Sequence, residues 1–322
     1  MVLTIIILTF ISSAVLTFAI RYIANEKELL DHPNARSSHT VATPKGGGLA
    51  IMLSFYTVLI LLFFNSDIDE KLFFALLSGL PILMISLIDD LYPLSSKLRF
   101  GVQLSSAAAA LYFLGGVSTF NFGIFSLHGS WLNIIAIVGI VWITNLYNFL
   151  DGIDGYAASE ALFVGITAYL LFESEIALYL AIASAGFLLF NWHKASIFMG
   201  DVGSAPLGFI FAIFIVYDSG SSHFLDWLML LSLFWFDATY TLLRRAKRKE
   251  KLSEAHKKHA YQRLTQTGLS HSNVVLLAMA LNTIIFFSLY LLPQAIHLYL
   301  FVLLIVVLYM INRYIDSLKA FK

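Results

Sequence analysis

Eleven apolar stretches, most long enough to cross a bilayer (about 17–25 residues), run along the chain. They lie near 2–20, 47–64, 72–88, 100–117, 131–148, 157–172, 176–191, 205–217, 225–243, 272–292 and 294–311. In hydrocarbon every backbone polar group must be satisfied within the protein, so repeated spans of this length must be helices. Of 322 residues, 59% are hydrophobic and only 12% charged, about half the roughly 25% charge of a soluble protein. The expectation is an all-α, polytopic integral membrane protein with about eleven transmembrane helices, forming one domain over residues 1–322. The first stretch lacks the basic leader of a secretory signal and reads as a span. Small residues inside spans, such as Ala183, Ser184 and Gly186, suit close helix packing.

Twenty Lys and Arg balance twenty Asp and Glu, which excludes a broadly basic nucleic-acid binder. The chain has no cysteine, and so no disulfide framework, thiolate metal site or cysteine nucleophile. Sorting the charges by side says more. With eleven spans, the segments 21–46, 89–99, 149–156, 192–204, 244–271 and 312–322 share one side and hold 19 of the 20 basic residues. By the positive-inside rule that side is cytoplasmic, with the C-terminus inside and the N-terminus outside.

Carboxylates at membrane depth or at helix ends are costly and mark function. Here Asp89, Asp90, Asp151, Asp154, Asp201 and Asp237 all fall near the basic side. Adjacent Asp89 and Asp90 repel, which raises one pKa and leaves a candidate base; Lys97 and Arg99 supply cations nearby. In Asn145-x-x-Asn148-x-x-Asp151-Gly152-Ile153-Asp154-Gly155 the first three polar residues recur at helical spacing, and the glycines permit close approach of a ligand. Carboxylates with amides form an oxygen-only donor set suited to Mg²⁺ or Mn²⁺. Phe198-Met199-Gly200-Asp201 adds a further candidate ligand, Asp201, and a ring that can stack, Phe198.

Two further segments are basic or glycine-rich. The run from Arg244 to Lys249 suits anionic lipid head groups. His256, His259 and Arg263 are spaced as one helical stripe of donors for a diphosphate; zinc would need a third protein ligand. Asp31-His32-Pro33-Asn34-Ala35-Arg36 precedes Thr43-Pro44-Lys45-Gly46-Gly47-Gly48, where glycines opening a span would turn backbone N–H groups toward an anion. Asp237 is expected to pair with Arg244 or Arg245. A transporter would carry ionisable residues at the midplane on broken, repeated halves. Here the deepest, Glu160 and Asp237, lie near the cytoplasmic boundary and no repeat is visible.

Taken in order, Asp89-Asp90, the Asn145–Gly155 motif and Phe198-Met199-Gly200-Asp201 resemble the polyprenyl-phosphate N-acetylhexosamine-1-phosphate transferases, a glycosyltransferase family. That family includes bacterial enzymes that start O-antigen, enterobacterial common antigen and wall teichoic acid, and the phospho-MurNAc-pentapeptide translocase. The resemblance runs from about Asp31 to Arg263. It implies a ten- or eleven-helix fold in the bacterial inner membrane with catalytic loops on the cytoplasmic face, near 21–46, 89–99, 149–156, 192–204 and 244–271. It also implies a Mg²⁺-dependent transfer of sugar-1-phosphate from a UDP-N-acetylhexosamine to undecaprenyl phosphate, releasing UMP. By motif, Asp201 and Asn148 would hold the metal and Asp89 would act as base toward the lipid phosphate. Asp90, Asp151 and Asp154 would complete the catalytic surroundings. Phe198 would stack on uracil, and His256, His259 and Arg263 would contact diphosphate or sugar. Lys45 and Lys97 match basic positions of the family. Membrane lipid is the further partner, nucleic acid is not, and a homodimer is left open.

Peptidoglycan members of the family carry three consecutive histidines where this chain has His256-Lys257-Lys258-His259. That argues against the MurNAc-pentapeptide substrate. The form looks more like the O-antigen-initiating subgroup, whose sugars include GlcNAc and deoxy derivatives such as FucNAc or QuiNAc.

Overall fold

The computed structural model describes residues 2–33, 41–252, 254 and 256–321. The part of the glycine-rich segment's approach at 34–40 lies outside the described residues. Helix α1 (Val2–Glu26) leads to a small antiparallel pair, β1 (Leu30–Asp31) with β2 (Thr43–Pro44). Then follow α2 (Gly48–Phe64), α3 (Glu70–Leu77), α4 (Leu80–Leu91) and α5 (Ser96–Leu114). A short hairpin, β3 (Thr119–Asn121) with β4 (Ser126–His128), precedes α6 (Leu132–Leu150), α7 (Tyr156–Phe172), α8 (Glu175–Asn191) and α9 (Asp201–Tyr217). The remainder is α10 (Phe224–Leu230), α11 (Ser232–Lys247), α12 (Ala260–Thr265), α13 (His271–Leu291) and α14 (His297–Leu318).

Among the described residues, five segments are long and apolar enough to cross a membrane, Val2–Glu26, Glu70–Leu91, Leu132–Leu150, His271–Leu291 and Gln294–Leu318, and α2, α7, α8 and α9 are shorter apolar helices. The protein is an all-α integral membrane protein. Two of the apolar stretches are broken helices. The stretch at 72–88 divides into α3 and α4 because Pro81 has no N–H and its ring crowds the carbonyl four residues earlier, at Leu77, where α3 stops. The stretch at 225–243 divides at Leu231. The hairpin at 119–128 was not legible as structure; Asn121 N–H donates to Ser219 O (2.8 Å), pinning it beside the end of α9.

Helix α9 is the axis of the molecule. Val202 through Val216 are all buried, as expected of a helix apolar all round, and it packs against α2, α4 and α6. It begins at Asp201, four residues before the apolar stretch starts at 205. Contact with α2 is close because both helices present glycine: a Cβ on Gly48 would stand 2.3 Å from Gly203 Cα. Gly48→Ala should therefore destabilise the fold by about 1–3 kcal/mol, the scale of overpacking. Thermal unfolding in detergent measures this, and an unchanged Tm would show that the two helices can part at no cost.

The Gly47 and Gly48 N–H groups do not face an open anion site. Gly47 N–H donates to Phe198 O (2.9 Å) and Gly48 N–H to Met199 O (2.8 Å), while Phe198 N–H donates to Pro44 O (2.8 Å). The two chain segments satisfy each other's backbone, which leaves these donors no vacancy. Together they bring Lys45 beside the end of α4. Further links join the basic segments at this same end: Arg99 to Asp201, Tyr261 to Phe149 O, and Arg244 to Asp316.

Candidate active site

The adjacent acids Asp89 and Asp90 end α4 but face different partners. Asp89 Oδ1 accepts from Leu94 N–H (2.6 Å), closing the turn into α5, and its Oδ2 accepts from Arg99 Nη1 (2.6 Å). Asp90 Oδ2 accepts from Val202 N–H (2.9 Å), and Lys45 Nζ stands 3.8 Å from its Oδ1. The first N–H groups of a helix have no partner within it. The residue before α9 is Gly200, which has no side chain to supply one, so Asp90 caps α9 from another helix. Gly200 is in the left-handed region at φ +76°, and a Cβ there would lie 2.6 Å from Asp90 Oδ2.

Asp201, capped in this way, lies between two groups. Its Oδ2 accepts from Arg99 Nη1 (3.0 Å) and its Oδ1 from Asn148 Nδ2 (2.9 Å), and Asn148 also donates to Ser204 Oγ (2.8 Å). Asn145 lies on the same face of α6 and donates to Gln103 Oε1 (2.7 Å). One guanidinium thus bridges Asp89 and Asp201. Lys97, in the first turn of α5, is exposed and is not brought to these carboxylates. Two positions along a helix turn the side chain by about 200°, so Arg99 takes the place expected of Lys97. Lys97→Ala should leave turnover within about threefold. Arg99→Ala should lower it roughly ten- to thirtyfold, the scale of a charge-assisted hydrogen bond at about 1.5–2 kcal/mol. Steady-state rates of the two variants test this, and equal losses would refute it.

Asp151 follows α6 directly. Burial, then the carboxylates of Asp201, Asp90 and Asp154, push its carboxyl up to about 8. Its side chain accepts no hydrogen bond from a described residue. This gathering of acids with a single bridging arginine is short of positive charge, and its donors are oxygens, as a hard divalent cation requires. Gly152 is needed for packing: a Cβ there would meet Tyr261 Oη at 2.1 Å, and that hydroxyl donates to Phe149 O (3.1 Å).

Asp154 has a different environment. His193 Nδ1 donates to its Oδ2 (2.7 Å), Ala195 N–H reaches the same oxygen (3.3 Å), and His271 Nδ1 stands 3.2 Å away. Burial pushes the Asp154 carboxyl up, but the hydrogen bonds of His271 and His193 outweigh it and hold the group below the usual carboxylate range. Donor atoms of Asp154, His193 and His271 lie within 4.8 Å of one another, a second arrangement open to a metal ion. No spacing could have announced it, since the three residues come from three separate loops and helix starts.

The segment after α11 departs most from the expected stripe. Helix α12 starts only at Ala260, so His256 lies outside it and His259 is its extended N-cap residue. Asp237 does not pair with Arg244 or Arg245. Both its oxygens accept from Ala260 N–H (2.9 Å each), so it caps α12 from α11, while Arg244 pairs with Asp316 and Arg245 with Glu250. The rings of His256 and His259 lie 4.7 Å apart. Burial, then His259, Arg245 and Lys258, push the His256 imidazole down to about 3, so it is neutral at pH 7. Arg263 is not brought to the carboxylates: its side chain is buried against Asp316, Asn312 and Phe321, on the opposite face of α12 from Tyr261. Phe198 is half-buried in the segment that leads to Asp201.

Comparison with known proteins shows what the chain is similar to. The sequence model of glycosyl transferase family 4 matches residues 72–218, which include every residue of the Asp89, Asp90, Asn148, Asp151 and Asp201 cluster. A Bacillus subtilis protein named as a probable undecaprenyl-phosphate N-acetylglucosaminyl 1-phosphate transferase is 28% identical, over 94% of this chain and 88% of its own length. A Thermotoga maritima undecaprenyl-phosphate alpha-N-acetylglucosaminyl 1-phosphate transferase is 28% identical over 78% of each. A Kosmotoga olearia phospho-N-acetylmuramoyl-pentapeptide-transferase is 31% identical, over 54% of this chain and 60% of its own. With the motifs and their clustering, these matches support a glycosyl-1-phosphate transferase similar to the polyprenyl-phosphate N-acetylhexosamine-1-phosphate transferases of glycosyl transferase family 4.

Proposed function

We propose that the protein transfers an N-acetylhexosamine-1-phosphate from a UDP-sugar to undecaprenyl phosphate. An oxygen of the lipid phosphate forms a new bond to the sugar-bearing phosphorus, and the bond from that phosphorus to UMP breaks. The single observation that carries this reading is the convergence of Asp89, Asp90, Asn148 and Asp201 with Lys45 and Arg99 at one end of the helices. Phosphoryl transfer asks for alignment and charge neutralisation more than for covalent work by the protein, and this set offers both. Asp201 and Asn148 would hold Mg²⁺ or Mn²⁺, which would neutralise charge on the diphosphate. Asn148 presents its N–H to Asp201 in this structure, so as a ligand it would turn its carbonyl instead.

In this reading Asp89 receives the lipid phosphate as base, and Asp90, Asp151 and Asp154 shape the nucleotide surroundings. Phe198 stacks on uracil, and His256 and His259 contact diphosphate or sugar. The eleven apolar segments each cross the inner membrane, with α3–α4 and α10–α11 counted once each. The basic end and the site face the cytoplasm, where a nucleotide sugar and a lipid phosphate can meet. GlcNAc or a deoxy relative is the donor, feeding O-antigen or a related envelope polysaccharide. The muramoyl-pentapeptide relatives overlap only about half of the chain, 54% and 52%, which supports the N-acetylhexosamine over the pentapeptide substrate.

The test uses the purified full chain with undecaprenyl phosphate, Mg²⁺ and a panel of UDP-N-acetylhexosamines. UMP release is expected with at least one of them. A chelator should abolish release, and Mg²⁺ or Mn²⁺ should restore it. Folded protein that releases no UMP with any sugar overturns the reaction, and full activity in chelator overturns the metal.

A further inference from the structure

A second cationic feature lies at the end of α14, on the far face of α12 from Tyr261 and the carboxylate cluster. Lys257, Lys258 and Arg263 meet Lys319 around a cavity of about 340 Å³ that Leu318 and Ala320 also line. Positive charge here is under-neutralised. Asp316 serves Arg244, Arg263 and Arg313, and Glu250 serves Arg245 and Lys258. Lys257, Lys319 and Arg248 have no carboxylate partner among the described residues. Arg263 is 2% exposed, yet its Nε finds no hydrogen-bond acceptor among the described residues. Phe321, itself buried, keeps the cations together, with Arg244 at 3.8 Å and Arg248 at 4.9 Å from its ring centre. Clustered cations around a cavity, with a buried donor left over, call for an anion.

The position of the cavity says which kind. It sits where the apolar segment Gln294–Leu318 ends, the depth at which phospholipid head groups lie. Met310, Tyr314 and Leu318, four residues apart and 62%, 65% and 49% exposed, form one face of α14. That apolar stripe leads directly to the cavity. We propose that the cavity binds the phosphate of an anionic phospholipid head group, with an acyl chain lying along the α14 stripe. The lipid would join the loop of Lys257 and Lys258 to the C-terminal residues and so brace α12, whose other face packs on the Asp151 turn.

The test places the full chain in nanodiscs of phosphatidylcholine, with and without phosphatidylglycerol, and reads retained lipid by native mass spectrometry and unfolding temperature. The wild type should retain phosphatidylglycerol preferentially and unfold at a higher temperature in its presence. Lys257→Ala with Lys319→Ala should weaken retention about thirtyfold, since each basic residue at a membrane surface contributes about fivefold, and should remove the gain in unfolding temperature. Its unfolding temperature in phosphatidylcholine alone should match wild type, which separates lost binding from lost folding. Lys257→Arg with Lys319→Arg should restore both readouts. No preference for phosphatidylglycerol, or full preference in the alanine pair, overturns the proposal. So does a full stabilising shift from inorganic phosphate in phosphatidylcholine that the alanine pair loses, because the pocket would then read a free anion and no lipid.

Discussion

Asp201→Asn is expected to lower turnover by about a hundredfold or more while the protein still folds, the scale of losing one electrostatic stabiliser. Asp201 accepts from Arg99 on one oxygen and from Asn148 on the other. Asn is isosteric but has one acceptor oxygen, so one of these two donors must face an amide N–H. The variant also removes a full negative charge from the donor set for the divalent cation. Two measurements check the outcome: the rate of UMP release at saturating substrate, and the Mg²⁺ concentration for half-maximal rate, which should rise. An unchanged unfolding temperature confirms that the loss is chemical. Near-normal turnover would remove Asp201 from the chemistry.

Asp90 gives the second large effect, by a different route. Its Oδ2 caps α9 by accepting from Val202 N–H (2.9 Å), and this fixes where Asp201 points. Asp90→Ala should lose the cap, worth about 0.5–2 kcal/mol of stability. Turnover should fall far more, about a hundredfold, because a shift of about 1 Å in a positioned group costs on that order. Asp90→Asn retains an acceptor oxygen and should recover at least tenfold of that loss. If Asn is as damaged as Ala, the charge of Asp90 matters in its own right and the capping account fails. Comparing both variants in rate and in unfolding temperature decides between the two.

The candidate site was partly legible in the chain. Asp89-Asp90, Asn148, Asp151 and Asp201 stand out because acids and amides at the ends of apolar stretches are costly and need a reason. The choice of Arg99 over Lys97 was not legible, since both flank the same turn and only the packing of α5 tells which faces Asp89. Nor was the division of labour between Asp89 and Asp90, because adjacent residues leave a helix end in different directions. His193 and His271 around Asp154, and Tyr261 filling the space of Gly152, carry no local signal at all. The stripe of His256, His259 and Arg263 failed because it presumed a helix that starts too early; Asp237, from α11, sets that start at Ala260.

By itself the sequence determined that this is a helical membrane protein with Asp89, Asp90, Asp151 and Asp201 at or near the ends of apolar stretches. Those properties follow from composition and from the order of apolar and polar segments, which hydrocarbon reads directly. What only the tertiary structure decided is which charged groups meet. A contact between residues 99 and 201, or 90 and 202, depends on how helices pack around α9. Close glycine-to-glycine approach and caps supplied from other helices set that packing, and neither leaves a trace at short range along the chain.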